Sequence, residues 1–365
     1  MGIVIVAVLA LLLLGMVENA LHQRMLEQIP LRILVNGTRG KTTVTRMTAS
    51  VLSAAGLRTY AKTTGSQARI ILPDGCERAY RKRDIVSMME QLPFVRLAVR
   101  GRAQAIVVEC MAQRAENQQL MAEHLIRPHY VLMTNAFVDH VEEIGATEEE
   151  TVHVLAQSIP DDACLITHDM RFRSYVQRMI LPSQEVDRSR LEDCAYAVHE
   201  KNVQLVLAIA EELGISQDIA YKGMLRAKPD IGMHKRFCWK QHSIWNAFAA
   251  NDPISFTGMM SECDAEGEFV LLFNHRMDRS YRLEAFARAI QNSPYKPVQI
   301  GVIGEDRRWC AKYLNRITGI PAQEVTQAEQ WIQKTGRTVV LCAGNIKGEG
   351  YLLLEKMMKE AEMHV

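Results

Sequence analysis

A short loop carries the residues best suited to phosphate chemistry. Leu31–Asn36 reads as a buried strand and runs directly into Gly37-Thr38-Arg39-Gly40-Lys41-Thr42-Thr43, after which Val44–Ala55 has helical character. A strand, a glycine-containing turn and a helix form the context that a phosphate-binding loop requires. Glycines let backbone N–H groups close around a phosphate, and the helix N-terminus adds favourable partial charge. In this interpretation Lys41 reaches the β- and γ-phosphates of ATP, and the Thr42 hydroxyl holds Mg²⁺.

The loop departs from the standard Walker A pattern. That pattern requires a glycine five positions before Gly40, where Val35 stands. A turn rich in Gly and Thr that happens to precede a helix is therefore the alternative, and the strand–turn–helix context favours the phosphate loop. Because ATP and Mg²⁺ are supplied in the cytoplasm, the loop predicts a cytoplasmic location for the domain that carries it.

Polar side chains follow two further strand-like segments. Ala105–Val108 runs into Glu109, and a second apolar segment runs into Asn135, with Asp139 and His140 just beyond. Ligands of a doubly wound parallel sheet collect at the carboxyl ends of its strands, so we expect these side chains beside the phosphate loop. A carboxylate and an imidazole there would complete Mg²⁺ coordination or orient a water molecule. Taken singly, each has a plainer explanation: a solvated strand end, a helix cap and an exposed histidine.

The composition is that of an ordinary globular protein. The 365 residues are 48% hydrophobic and 23% charged, which excludes a disordered chain, a collagen-like fibre and a multi-span transporter. This length suggests two or three domains. The net charge of +1 gives no indication of nucleic-acid binding. The 8 cysteines form no CxxC pair, so a reducing compartment fits better than a disulfide framework or a structural zinc site.

The N-terminus differs from the rest of the chain. Met1–Val17 has no charged side chain, and extension through Leu21 would let a helix cross a bilayer. A secretory signal peptide would require a basic start and a small-residue cleavage site, and neither is present. A single-pass anchor is therefore favoured over a signal peptide or a buried core helix. The charges that follow the span give only a weak signal for its orientation.

A second, smaller α/β unit is expected after a break at Arg226–Phe237, where Pro, Gly and basic residues interrupt the periodicity. Before the break, Thr147 and Glu150 form a capping box that predicts a helix start. After the break, Asn274, Arg276 and Arg279 follow a strand end. The expected strands are Phe269–Phe273, Val298–Ile303 and Thr338–Cys342, and the expected helices are Arg282–Gln291, Arg307–Arg316 and Leu352–Glu362.

These motifs together resemble the Mur ligase superfamily of ATP-dependent enzymes that join amines to carboxylates. The loop resembles their GTxGKTT form, and Asn135-Ala-Phe-Val-Asp139-His140 resembles their NxxxDH segment. Within the superfamily the chain is most similar to the ligase subunits of poly-γ-glutamate synthases (the PgsB/CapB type). The stretches that carry this closer resemblance are Val35–Arg46, Lys62–Arg69, Val108–Met111, Phe248–Asp252, Asn274–Arg279 and Gly344–Gly348.

The resemblance implies a role for individual residues. The nucleotide would contact Gly37, Thr38, Arg39, Gly40, Lys41, Thr42 and Thr43. Asn202 would lie near the adenine, and Arg236, or alternatively Lys235, would lie near a phosphate. Lys41, Glu109 and His140 would be catalytic, and Thr42, Glu109 and His140 would hold the metal. The substrate and the acyl phosphate would contact Thr63, Thr64, Gly65, Asn135, Asn274, Arg276 and Arg279.

The expected architecture follows from the same resemblance. It is an α/β chain with a P-loop-containing doubly wound parallel sheet and a smaller C-terminal α/β domain, preceded by a transmembrane helix. The expected boundaries are 1–21 for the anchor, 30–228 for the ATP-binding domain and 237–365 for the C-terminal domain. One feature departs from the family: many Mur ligases support a second Mg²⁺ with a carbamylated lysine, and no lysine stands between Lys82 and Lys201.

The leading functional hypothesis is an ATP-dependent amide ligase that polymerises glutamate through an acyl phosphate, with ATP and Mg²⁺ as cofactors. The expected location is the cell membrane with the catalytic domains in the cytoplasm. Glutamate, the poly-γ-glutamate chain and other membrane subunits of a synthase would be its partners, and a homo-oligomer remains open. A membrane-anchored P-loop ATPase that switches an export complex, and a folate or cell-wall ligase, are the alternatives.

Overall fold

The computed structural model describes residues 2–65, 67–80, 87–138, 144–191, 199–233, 235–248, 250 and 253–362. The chain divides into two compact units, Met1–Pro229 and Asp230–Val365, which we call unit 1 and unit 2. In both units short apolar segments alternate with amphipathic ones, and this alternation produces sheets covered by helices.

Unit 1 is built on one eight-stranded sheet of order β4-β3-β2-β5-β1-β6-β7-β8. All its neighbouring strands run parallel except at β3 and β4, which extend one edge as an antiparallel hairpin. The strands are β1 (Leu31–Asn36), β2 (Thr59–Thr63), β3 (Arg69–Ile71), β4 (Glu77–Ala79), β5 (Ala105–Glu109), β6 (Tyr130–Met133), β7 (Cys164–Thr167) and β8 (Arg178–Ile180).

Both faces of this sheet are buried. Ile106 and Val108 of β5 face one hydrophobic cluster, whereas Val107 between them faces the other, as the two-residue period of a strand requires. The helices are α1 (Gly2–Glu27), α2 (Lys41–Ala54), α3 (Gln91–Arg100), α4 (Ala115–Leu120), α5 (Glu148–Ala156), α6 (Glu200–Glu212) and α7 (Gln217–Arg226). The expected α/β architecture with a doubly wound, largely parallel sheet is confirmed.

Two helix starts were predicted from local sequence patterns, and the structure contains both helices. The predicted capping box is present, because the Thr147 side chain accepts from Glu150 N and the Glu150 side chain accepts from Thr147 N. Helix α2 begins at Lys41 rather than at Val44. Gly40 adopts a left-handed conformation with φ 84°, so the helical turn begins directly after the last loop glycine.

Helix α1 has two parts. Its apolar N-terminal part is exposed, and its last turns pack against the rest of unit 1. Within the described residues, only α1 is long and apolar enough to cross a membrane. Its apolar residues are exposed, whereas His22 and Leu26 near its end are buried. His22 Nε2 lies 2.9 Å from Leu125 O, and Gln23 Nε2 donates to His124 O at 2.9 Å. The predicted anchor is therefore the first part of a helix whose last turns pack on unit 1.

Unit 2 has a six-stranded sheet of order β13-β12-β11-β14-β10-β9, in which only β9 runs antiparallel to its neighbour. Its strands are β9 (Arg236–Trp239), β10 (His242–Ala247), β11 (Phe269–His275), β12 (Gln299–Gly304), β13 (Ala322–Glu324) and β14 (Val339–Gly344). Its helices are α8 (Pro253–Glu266), α9 (Ser280–Asn292), α10 (Arg307–Thr318), α11 (Ala328–Lys334) and α12 (Glu349–Glu362). Strand β11 extends two residues beyond the predicted end at Phe273, so Asn274 lies within the strand.

Candidate active site

The loop between β1 and α2 is closely packed. Its two glycines have positive φ, and a Cβ atom at Gly37 would lie 2.2 Å from Thr134 Oγ1. A Cβ atom at Gly40 would lie 2.8 Å from Asn202 Nδ2, which places Asn202 beside the loop. Neither position tolerates a side chain, so the loop packs against Thr134 and Asn202 only with glycine at both positions.

Lys41 folds back over this loop. Its Nζ donates to Gly37 O at 2.6 Å and to Thr38 O at 3.3 Å. The ammonium group is therefore held directly above the turn whose backbone would surround a phosphate. A cation at this position, together with the N-terminus of α2, creates an anion-binding site.

Asn135 clamps the same loop from the end of β6. Its Oδ1 accepts from Thr38 Oγ1 at 2.6 Å and from Arg39 N at 2.9 Å, and its Nδ2 donates to Arg39 O at 2.9 Å. Thr38 N also donates to Asn135 O at 3.1 Å. The structure therefore places Asn135 against the nucleotide loop, whereas the resemblance implied a contact with the substrate. The exposed residue of the loop is Arg39.

Glu109 joins three segments at the end of β5. Its carboxylate accepts from Thr42 Oγ1 at 3.0 Å and from Thr64 N at 2.7 Å. A Cβ atom at Gly65 would lie 2.5 Å from Thr42 Oγ1. Burial raises the pKa of the Glu109 carboxyl, while the charge of Lys41 and the hydrogen bonds from Thr64 and Thr42 act in the opposite direction. The predicted meeting of the phosphate loop, Glu109 and the second loop is thus seen directly.

The pair of Thr42 and Glu109 fits a magnesium ion. A hydroxyl and a carboxylate are oxygen ligands of the kind that Mg²⁺ prefers, and it usually completes its shell with water and phosphate oxygens. Glu109 is 3% exposed, and its carboxylate already lies 3.0 Å from the Thr42 hydroxyl. Asp139 and His140, which were expected to contribute, lie outside the described residues. Among the residues the structure describes, no group of three or more His, Cys, Asp or Glu side chains could hold a metal ion.

Not every residue of the two loops faces the site. Thr43 is buried within α2, and Thr63 is completely buried at the end of β2, whereas Thr64 and Gly65 are half-buried. Thr64 therefore contacts Glu109, and Thr63 instead belongs to the packed strand. Adjacent Lys62 is also completely buried and forms an ion pair with Glu90 at 3.2 Å.

Sequence reasoning missed a buried amide network beneath the loop. Asn36 Oδ1 accepts from Gly37 N at 2.8 Å, and its Nδ2 donates to Gln118 Oε1 and to Ser158 Oγ, both at 2.8 Å. Gln118 Nε2 donates in turn to Ala112 O at 2.9 Å. Ser158 lies in the stretch between Lys82 and Lys201 that contains no lysine. The position of Asn36 next to the loop was the only sequence signal for this network.

The remaining predicted residues lie in unit 2. Asn274 is completely buried, and its Nδ2 donates to Asn345 O at 2.5 Å and to Lys347 O at 2.9 Å. It therefore fixes the loop after β14, while half-buried Arg276 and Arg279 follow β11. Arg236 is exposed on β9 and pairs with Glu266 at 2.8 Å.

Comparison with known sequences identifies the family. Residues 35–203 match the Mur ligase middle domain, and residues 238–360 match the poly-gamma-glutamate synthase CapB C-terminal domain. The chain is 31% identical to the capsule biosynthesis protein CapB of Bacillus anthracis, over 96% of this chain and 81% of that protein. It is 30% identical to the PGA synthase CapB of Bacillus subtilis (strain 168), over 98% of each. The chain belongs to the poly-γ-glutamate synthase CapB family.

As a member of the CapB family, the chain is an ATP-dependent ligase that forms amide bonds. Solved structures show the same fold. The folylpolyglutamate synthase of Thermotoga maritima has a TM-score of 0.64 at 12% identity and covers 93% of this chain and 92% of its own. MurF of Acinetobacter baumannii has a TM-score of 0.61 at 16% identity, over 94% of this chain and 79% of its own.

Proposed function

We propose that this chain extends poly-γ-glutamate by one glutamate per ATP, through an acyl-phosphate intermediate. The observation that carries the proposal is the contact of Glu109 with both Thr42 and Thr64, next to Lys41 on the phosphate loop. It is supported by the CapB relatives, of which one is named a PGA synthase and the other a capsule biosynthesis protein. A carboxylate that accepts a phosphoryl group from ATP requires such a site.

The reaction has two steps. A terminal carboxylate oxygen of the chain attacks the γ-phosphorus, the bond to ADP breaks, and an acyl phosphate forms. The neutral amine of the next glutamate then attacks the acyl carbon, a C–N bond forms, the bond from the acyl carbon to the phosphate oxygen breaks so that phosphate leaves, and the nitrogen loses one proton to become an amide N–H. Lys41 and the N–H groups of the loop balance the charge of the transferring group, while Asn135 and Asn36 hold the loop in place.

Thr42 and Glu109 would hold Mg²⁺, which would neutralise negative charge on the phosphates during the transfer. His140 remains a proposed third member of this site. Asn202 would lie near the adenine and Arg236 near a phosphate, and Arg276 and Arg279 would bind carboxylates of the incoming glutamate or of the chain, since arginine pairs well with carboxylate.

We also propose that α1 anchors the enzyme in the cell membrane as the catalytic subunit of a synthase. Residues 3–17 are apolar on all sides of the helix and exposed, which suits a surrounding of lipid. A single span cannot form a pore for a polyanion, so export of the product requires further membrane subunits.

The test measures ADP release by detergent-solubilised membranes that contain the chain and its neighbouring subunits, with and without glutamate. We expect glutamate to stimulate ADP release in proportion to γ-linked polymer formed. Lys41→Ala should reduce this rate at least on the order of 100-fold, whereas Lys312→Ala, at an exposed lysine of α10, should leave it unchanged. ADP release that ignores glutamate would refute the ligase and favour a switch ATPase.

A further inference from the structure

Unit 1 contains an open cleft that the proposed reaction does not use. It lies between helix α2 (Arg46, Ser50), the β3–β4 hairpin (Leu72, Glu77) and the end of α7 with the residues after it (Arg226, Lys228), and we call it the α2 cleft. The centres of water-sized spheres can occupy about 60 Å³ of it, and the cleft is open to solvent. It is therefore a narrow open groove, in which a short stretch of an extended chain could lie while the rest of that chain stays in solvent.

The cleft begins close to the phosphate-transfer site. Thr42, Arg46, Ser50 and Ser53 follow one another at helical spacing, so they share one face of α2. Thr42 contacts Glu109 at the top of this face, and the other three line the cleft. The cleft therefore starts one helical turn from the Thr42 hydroxyl and extends away from it along the helix.

The charge of the lining favours an anion. Arg46, Arg226 and Lys228 contribute three positive charges, and Glu77 contributes one negative charge. Glu77 is held by Arg46, with which it forms a two-bonded ion pair. Arg226 and Lys228 are exposed, and among the described residues their side chains form no hydrogen bond or ion pair that would occupy them. Two cations at the mouth are thus available to a ligand.

The uncharged lining matches the backbone of a γ-linked glutamate chain. Such a chain alternates methylene groups with amides and carries one carboxylate per residue. Ile71, Leu72 and Ala227 provide apolar contact for methylenes. The hydroxyls of Ser50 and Thr59 donate to Gly223 O at 2.6 Å and to Leu57 O at 3.1 Å, so they are left to accept from amide N–H groups.

We infer that the α2 cleft binds the γ-glutamyl chain behind its reacting end, with Arg226 and Lys228 pairing with its carboxylates. This inference rests on the proposed function, because the polymer is the product of that reaction. Binding of several residues of the chain would retain it between additions and lengthen the polymer that each enzyme makes.

The test uses the full chain in detergent and a short fluorescein-labelled γ-linked glutamate oligomer, followed by fluorescence anisotropy. The Arg226→Ala/Lys228→Ala double variant should weaken oligomer binding about fivefold, since exposed ion pairs are individually weak. The Arg226→Glu/Lys228→Glu variant should weaken it further. The matched control is Arg24→Ala/Arg100→Ala, which removes two exposed arginines elsewhere in unit 1 and should bind as the parent does.

A second readout separates chain retention from catalysis. In the synthase membranes the cleft variants should make shorter polymer, while the KM for ATP stays at the parent value. Equal oligomer affinity in the parent and both cleft variants would overturn the inference. Displacement of the bound oligomer by free glutamate or phosphate at the same concentration as the oligomer would also overturn it. If the parent releases no ADP in response to glutamate, the proposed function itself fails. If the enzyme is active and the cleft variants bind the oligomer as the parent does, only the inference about the α2 cleft is refuted.

Discussion

At the scale of single residues, Gly65 sets the position of the Thr42 hydroxyl. A Cβ atom there would lie 2.5 Å from Thr42 Oγ1, closer than two such atoms can approach, although Gly65 has no positive φ. Gly65→Ala should therefore displace Thr42 from Glu109 and lower kcat at least on the order of tenfold, with little loss of stability. The measurement is glutamate-dependent ADP release together with a thermal unfolding midpoint.

Gly258 of α8 provides the matched control for this change. A Cβ atom there meets nothing within 4 Å, and the residue lies within a helix. Gly258→Ala should leave kcat unchanged and raise the free energy of unfolding by about 0.5–1 kcal/mol. An unaltered kcat in Gly65→Ala would show that Thr42 need not be held at its observed position.

The residues of the site were predictable where their chemistry is local. The phosphate loop and Glu109 stand out because glycine spacing and a strand-end carboxylate are visible in a few consecutive residues. The clamp made by Asn135 on the phosphate loop and the hydrogen bonds from Asn36 to Gln118 and Ser158 were not predictable, because the partners lie 82 to 122 positions apart in the chain. Only the order of the strands, which a single sequence does not reveal, brings those side chains together.

At the scale of secondary structure, the base of α1 belongs to unit 1. Leu26 and Ile29 are fully buried in the core that contains Phe94, and Arg32 Nη1 donates to the carbonyls of both at 2.9 Å. Periodicity could not reveal this docking, because the apolar segment before it dominates the hydropathy of the helix. Helix α1 therefore continues past residue 21, the expected end of the anchor, into turns that pack in the core of unit 1.

Truncation tests this assignment. A chain that starts at Glu18 should fold with the parent's stability, because the exposed apolar turns contribute nothing to the core of unit 1. A chain that starts at Leu31 should lose about 3–6 kcal/mol, the burial energy of two large aliphatic side chains. Urea unfolding followed by circular dichroism measures both, and Leu26→Ala in the longer chain should cost about 2–5 kcal/mol. Equal stability of the two truncated chains would contradict the docking.

A second prediction at this scale concerns His129, which directly precedes β6 and contacts Arg32 of β1. Burial lowers the pKa of His129, and the charges of Arg32 and Arg127 lower it further, whereas Asp162 raises it. His129 Nδ1 accepts from Arg32 N at 3.1 Å, which only the neutral ring can do. Below about pH 6.5 the unfolded chain thus binds a proton that the folded chain does not, so stability falls as the pH falls through that value.

Hydrogen exchange of β1 at pH 7.5 and pH 5.5 measures this effect. Protection should decrease at the lower pH in the parent, and His129→Asn, whose amide oxygen can replace Nδ1 as acceptor, should show a smaller decrease. His124→Asn, at an exposed histidine of the same unit, should respond to pH as the parent does. An identical pH response in His129→Asn and the parent would exclude His129 as the titrating group.

At the scale of the whole molecule, the hydrophobic cores follow the division into two units. Two clusters of buried residues lie entirely within unit 1 and two entirely within unit 2. Pro229, the last residue of unit 1, lies within Arg226–Phe237, where Pro, Gly and basic residues interrupt the periodicity of the sequence. The alternation of strands and helices on either side of Pro229 could also be predicted from the sequence. The strands are short apolar segments, and the helices are longer segments in which apolar residues recur with helical spacing.

The separation of the cores predicts that residues 230–365 fold alone. All four tryptophans, Trp239, Trp245, Trp309 and Trp331, lie in unit 2, so tryptophan fluorescence reports on this unit even in the full chain. The fragment should unfold in urea at the same midpoint as the fluorescence transition of the full chain, because it keeps every strand of its sheet. A fragment that starts at residue 250 lacks β9 and β10, and with them the buried Trp239 and Ile244, and should not fold. A fragment 230–365 that unfolds without a cooperative transition would mean that unit 2 depends on the rest of the chain for its stability.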